Sequence, residues 1–183
     1  MAQQPVFRLR IQLKEVHPTV WRRVLVPGGV RLGRLHDIFQ AAMGWTNSHL
    51  HNFTIGDRLY GTHIDDYPEE ELDENEYTVL AALRGGVRRF GYEYDFGDSW
   101  EHEVTVEETT WSPLALKHAV CIDGENACPP EDVGGPYGYQ QFLEALADPL
   151  HEEHDSYLVW VGHKFEADAF DLALVNAALQ RVR

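Results

Sequence analysis

The sequence predicts an α+β fold: a single domain over residues 1–183, its core running from about 5 to 180, with a mostly antiparallel sheet and a few packed helices. Three observations predict it. Segments such as "VFRLRIQLK" (6–14) and "YEYDFGDSWEHEV" (92–104) alternate apolar and polar residues with a period of two, the mark of half-buried strands. "RLGRLHDIFQAAMG" (31–44) instead repeats at helical spacing. The links between neighbouring strands are short, which favours antiparallel pairing over crossovers. No repeat or linker divides the 183 residues, a length that one hydrophobic core can serve.

In chain order, Phe7, Leu9, Ile11 and Leu13 share one face of a first strand, and "VWRRVLVP" follows as a second that stops at Pro27. Leu32, Leu35, Ile38, Phe39, Ala42 and Met43 form one stripe of a helix, with Gly44 placed to end it. "HLHNFTI" (49–55) alternates again. "THIDDYPEEELDENEY" (62–77), whose charged residues are all acidic, reads as an exposed loop, and 77–84 as a short helix with a strand as the alternative. The Gly- and Pro-rich stretch 121–138 reads as an irregular loop. Helices follow at about 137–147, ending at Asp148-Pro149, and at about 167–181, with Phe170, Leu174 and Ala178 turned inward.

The D-F-G at 95–97 is not kinase machinery, because no glycine-rich loop, strand lysine or H-R-D loop accompanies it. It reads as a hairpin in which Phe96 opposes Trp100 and Tyr94 opposes His102 across a three-residue Gly97-Asp98-Ser99 turn. Glu93, Asp95, Glu101 and Glu103 then share the outer face. Such a face needs water, arginines from the N-terminal half or a cation.

Net charge of −15 opposes bulk affinity for nucleic acid. The charge is uneven, however. Residues 1–50 carry seven Arg and Lys against Glu15 and Asp37, a surplus of five, which leaves −20 for the rest. The two halves can neutralise each other internally, or the basic segment can present a nucleic-acid face. The N-terminus has no apolar h-region, and no run of about 18 apolar residues occurs. The expectation is a cytoplasmic protein with reduced thiols and no membrane partner.

Candidate chemistry concentrates in two motifs. Asp95, Asp98, Trp100, His102, Glu131 and Asp132 form the candidate functional cluster, and Cys121, Cys128 and His102 are candidate ligands of a divalent metal such as zinc. Six residues separate the cysteines, more than in zinc knuckles, and buried packing is the competing reading. His49 and His51, two apart, can chelate a metal or pack beside Phe53 and Ile55. "HEEH" (151–154) has the wrong spacing for a zincin, and no Ser-elbow, phosphate loop or dinucleotide fingerprint occurs.

Together "LHDIFQAAMGW…SHLHNF", "YEYDFGDSWEHEV" and "CIDGENACPPEDVGGPYGY" resemble the plasmid pRiA4b ORF-3-like family, some members of which are labelled transposon-passenger TnpR-like proteins. The resemblance spans roughly residues 5–180. It implies a compact α+β fold and mobile-element company, and it carries no activity and no catalytic residues. With no complete catalytic constellation visible, the expectation is a non-enzymatic module that binds protein, a second copy of itself, or nucleic acid through the basic N-terminal segment. The alternative is a metal-dependent hydrolase or nuclease built on D-F-G-D-x-W-x-H and C-P-P-E-D.

Overall fold

Alternation along the first strand sets the layering. Phe7, Leu9, Ile11 and Leu13 of β1 (Gln4–Leu13) are buried, while Arg8, Arg10 and Gln12 face outward and are only half covered. The computed structural model describes residues 4–62, 71–112, 116–162 and 164–182. Around β1 assemble β2 (Trp21–Pro27), β3 (His51–Ile55), β4 (Arg58–Gly61), β5 (Glu71–Asp73), β6 (Arg89–Tyr94), β7 (Trp100–Ser112) and β8 (Val120–Glu125). They form one sheet in the order β5-β4-β3-β6-β7-β1-β2-β8. Every pairing is antiparallel except β4 with β5. The helices are α1 (Leu32–Met43), α2 (Val79–Ala82), α3 (Gly135–Ala147), α4 (His154–Val161) and α5 (Leu172–Leu179). This is the single compact α+β domain that the alternation predicts.

The stripe of α1 packs as its spacing requires: Phe39 meets Phe53 and Tyr92 with ring centroids 6.2 and 5.3 Å apart. Gly44 adopts φ 108° and closes the helix, its N–H bonding Gln40 O. Three expectations need correction, and one helix was not expected. Residues 63–70 of the acidic segment lie outside the described residues, but Glu71–Asp73 forms β5 and Glu74 is buried. Residues 121–125 are not loop but part of β8, paired to the edge of β2 across a bulge at Arg23/Val24. The new edge is partly covered, since Asn176 of α5 accepts from Cys121 N and donates to Cys121 O. Helix α4 has no apolar stripe and buries none of its residues, so no periodicity announces it. Helix α5 starts later than expected, where the Asp171 side chain caps Ala173 N and Leu174 N. That phase exposes Leu174 and buries Leu179 instead.

The outer sheet face neutralises the two halves of the chain. Arg8 pairs with Glu107 and Glu108, Arg23 with Glu107 and Asp123, and Lys14 with Glu101. The bidentate Arg23 bond holds the Glu107 carboxyl below its usual range. Exposed pairs of this kind contribute roughly 0–1 kcal/mol each, so they balance charge more than they stabilise.

Arg22 differs. It is 3% exposed and points inward, where all its hydrogen-bond partners are carbonyls: Ala42 O at 3.0 Å, Trp21 O at 2.8 Å, Glu125 O at 2.7 Å and Asn126 O at 2.9 Å. The guanidinium also lies 4.7 Å from the Phe170 ring centre. Ala42 O belongs to the last turn of α1, where the helix dipole favours a cation. Arg22 therefore ties α1, β8 and the 126 loop together. Replacing it by Met leaves four acceptors without their donor and costs about 3 kcal/mol. At about 2–4 °C per kcal/mol, thermal unfolding followed by circular dichroism is expected to fall by about 6–12 °C. A fall under about 2 °C would contradict this role.

Candidate functional site

The turn after β6 builds the site. Tyr94 opposes Trp100 and Tyr92 opposes His102, so the hairpin register is displaced by two residues from the expected pairing. A shift of two preserves which faces point inward, so alternation cannot distinguish the two registers. The longer turn is shaped by Asp95, which adopts φ 58°. Its Oδ1 accepts from Gly97 N at 3.0 Å and Asp98 N at 3.3 Å, and its carbonyl accepts from Ser99 N at 2.6 Å. Asp95 thus leaves the wet outer face predicted for it and is only 6% exposed.

The C-P-P-E-D-V-G-G loop docks on this turn. Asp98 Oδ2 accepts from Gly134 N at 3.0 Å, and Gly135 at φ 68° packs directly on the Asp98 carbonyl. A Cβ at Gly135 would lie 2.4 Å from that oxygen, so only glycine permits the approach. On the other side Trp45, just past α1, donates from Nε1 to Pro129 O at 3.0 Å. Three segments distant in sequence meet here: 45–49, 94–98 and 128–135.

At their junction His49 Nε2 lies 3.1 Å from Asp132 Oδ1, 3.6 Å from Asp95 Oδ2 and 3.9 Å from Glu131 Oε2. This Nε2 is buried, yet it makes no directed hydrogen bond to any of them. Among the described residues, His49, Asp95 and Asp132 are the one group of three His, Cys, Asp or Glu residues whose ligand atoms lie within 4.8 Å of one another. Atoms about 2.1 Å from a shared ion sit about 3.0–3.4 Å apart, so the 3.1 Å contact already has that spacing and the 3.6 Å contact needs a small contraction. Glu131 is held beside the group: its Oε1 accepts from Thr46 N at 2.8 Å, Thr46 Oγ1 at 3.0 Å and Tyr94 OH at 3.1 Å. Burial pushes the Tyr94 phenol up to about 12, which keeps it a proton donor to Glu131.

Of the predicted cluster, Asp95, Glu131 and Asp132 come together, and Asp98 locks the two loops. Trp100 and His102 do not join them. Trp100 is fully buried, and His102 is 2% exposed with its Nδ1 3.1 Å from Tyr92 O and its ring edge-on to Trp45. Nor do Cys121, Cys128 and His102 assemble as ligands. Cys121 Sγ donates to Asp123 O at 3.3 Å, and burial pushes both thiols up, which opposes thiolate formation.

Sequence reasoning paired His49 with His51, and the structure separates them. The His51 ring stacks on His36 with centroids 3.4 Å apart and 4° between planes, and its Nε2 lies 2.8 Å from Glu74 Oε2. His36 bonds Tyr92 OH and Asn47 Oδ1. Tyr94 was read only as an inward-facing hairpin residue and Trp45 only within a family motif, and nothing singled out Thr46.

The family model for plasmid pRiA4b ORF-3-like protein matches residues 5–174. Over 176 residues the chain is 43% identical to the uncharacterized protein y4hQ of Sinorhizobium fredii, covering 95% of this chain and 90% of that protein. The crystal structure of a protein of unknown function, MM3350 from Methanosarcina mazei Go1, is similar with a TM-score of 0.84 at 30% identity, covering 93% of this chain and 97% of the other.

Burial lowers His36 to about 3, helped by the neighbouring His51, and lowers His102 to about 4. Both values lie below 6.5, so the unfolded chain takes up these protons first as pH falls. The stability they contribute is whole above about pH 7 and is lost below 6.5, toward 4 and 3. Each histidine is expected to cost about 2 kcal/mol between pH 7.5 and 5, read as a drop in the urea midpoint. An unchanged midpoint over that window would show that the two rings are not held neutral.

Proposed function

We propose that this chain, which belongs to the plasmid pRiA4b ORF-3-like family, is a divalent-metal-dependent hydrolase whose ion is held by His49, Asp95 and Asp132. The observation that carries this reading is the His49 Nε2 atom, buried, without a hydrogen bond and facing three carboxylates. One imidazole with carboxylates suits zinc or manganese better than the harder magnesium or calcium. A bound ion supplies an acidified water at neutral pH.

The remaining roles belong to the chain itself. Glu131 Oε1 is tied by Thr46 N, Thr46 Oγ1 and Tyr94 OH, while Oε2, 3.2 Å from the shared Tyr94 hydroxyl and 3.9 Å from His49 Nε2, is the oxygen that could take the proton of such a water. Tyr94 and Thr46 fix that carboxylate's direction. Asp98, Gly134 and Gly135 keep the two ligand-bearing loops in register. The pairing of Arg8, Lys14 and Arg23 with the chain's own acids and the burial of Arg22 weigh against a nucleic-acid face on the N-terminal half.

Isothermal titration of chelator-treated protein with Zn²⁺ and Mn²⁺ is expected to show one ion per chain. At a hundredfold excess over Kd the ion adds about 2.7 kcal/mol of stability. His49→Ala is expected to abolish binding and Cys121→Ser/Cys128→Ser to leave it intact. On a panel of chromogenic phosphate and carboxylic esters, Glu131→Gln is expected to keep ion affinity and lose at least about 100-fold in turnover. Ion binding equal in wild type and His49→Ala refutes the site, and binding without turnover of any ester refutes the hydrolase.

A further inference from the structure

His49 faces two ways. Besides the ion cluster, it lines a cavity of about 650 Å³, within the roughly 300–1,000 Å³ usual for small-molecule sites. Arg31, Arg34 and Asp37 from the start of α1 form one wall, and Asn47, Thr62 and Asn75 close the others. The floor is the stacked His36–His51 pair over Glu74. Among the described lining side chains only Val30 and Leu50 are apolar, so the cavity does not suit a greasy ligand.

Among the described residues, one lining cation is left without a paired carboxylate. Arg34 is paired with Asp37 at 3.3 Å. Glu74 is buried beneath the floor and engaged by His51 at 2.8 Å. Arg31 bonds only the Asn75 carbonyl, and among the described residues no carboxylate lies within ion-pair distance of it. Its guanidinium is exposed, so this bond occupies one arm of a five-donor fork.

We infer that this cavity binds a small, hydrophilic phosphate ester, its phosphate on the Arg31 fork with Arg34 beside it and its polyol body across Asn47, Thr62 and Asn75 toward His49. Arginine matches phosphate oxygens two at a time, and hydroxyl and amide side chains replace the water that a polyol gives up. The inference rests on the ion-site reading for what is done to the ligand, but not for whether the ligand binds.

The test titrates sn-glycerol 3-phosphate, glycerol and glycerate into metal-free protein by calorimetry. Glycerol phosphate is expected to bind, and glycerol not to bind. Arg31→Gln is expected to weaken glycerol phosphate at least tenfold, and Arg31→Lys, which keeps charge but loses the fork, by less. Because Arg31 also ties down Asn75, Arg34→Gln serves as a second variant, with an expected loss of about threefold. Ion binding to the wild type is titrated separately with Mn²⁺ alone, so that failure of either reading shows separately. Equal affinity in wild type and both Arg→Gln variants, no binding at 10-fold millimolar ligand (about 10 mM), or glycerate binding as tightly as glycerol phosphate would overturn the proposal.

Discussion

The docking of the Asp95–Ser99 turn against Gly134–Gly135 is the contact on which the rest of the site depends. Neither loop has regular structure to hold it. The turn is closed by its own Asp95 carboxylate, and the 128–135 loop is anchored by Asp98 Oδ2 at one end and Trp45 Nε1 at the other. The Trp45 anchor satisfies the buried Pro129 carbonyl, which left unpaired would cost roughly 1–3 kcal/mol, whereas the exposed Asp98–Gly134 bond sets direction more than stability. Once docked, Asp95 and Glu131 are held by hydrogen bonds beside the His49 imidazole, and Asp132 approaches it from the exposed side.

The hydrophobic layer below makes that arrangement rigid. Trp45 packs against Tyr94, Trp100 and His102 with ring centroids 5.0, 5.9 and 5.3 Å away. The residue that anchors the C-P-P loop is therefore also embedded in the β6–β7 core. Arg22 does the same for the neighbouring 125–126 segment, using carbonyl acceptors in place of a carboxylate. Polar groups buried in this way define one geometry, because any displaced arrangement leaves several acceptors unpaired.

Much of this was legible in the residues, and the failures share a physical origin. Period two in 6–14 and helical spacing in 31–44 identify β1 and α1, since both bury one face and solvate the other. The hairpin was legible but its register was not, because a shift of two leaves every side chain on its face. That ambiguity alone hid the role of Asp95. β8 was hidden because an edge strand among Gly and Asp shows little alternation, and α4 because it has no buried stripe. Within the site, Asp95, Glu131 and Asp132 stood out as motif acids. His49 was paired with the wrong neighbour, since the end of β3 at His51 is invisible in an alternating run. Cys121 and Cys128 drew attention by residue type, although burial makes them poor ligands.

The most direct measurement of the central claim is a crystal structure of the protein grown with Mn²⁺, with anomalous diffraction recorded to locate the ion. One peak is expected about 2.0–2.3 Å from His49 Nε2 and from carboxylate oxygens of Asp95 and Asp132, with Glu131 still held by Thr46 and Tyr94. No peak at that junction, with His49 Nε2 turned to hydrogen-bond a single carboxylate, or a peak on the cysteines, would contradict it.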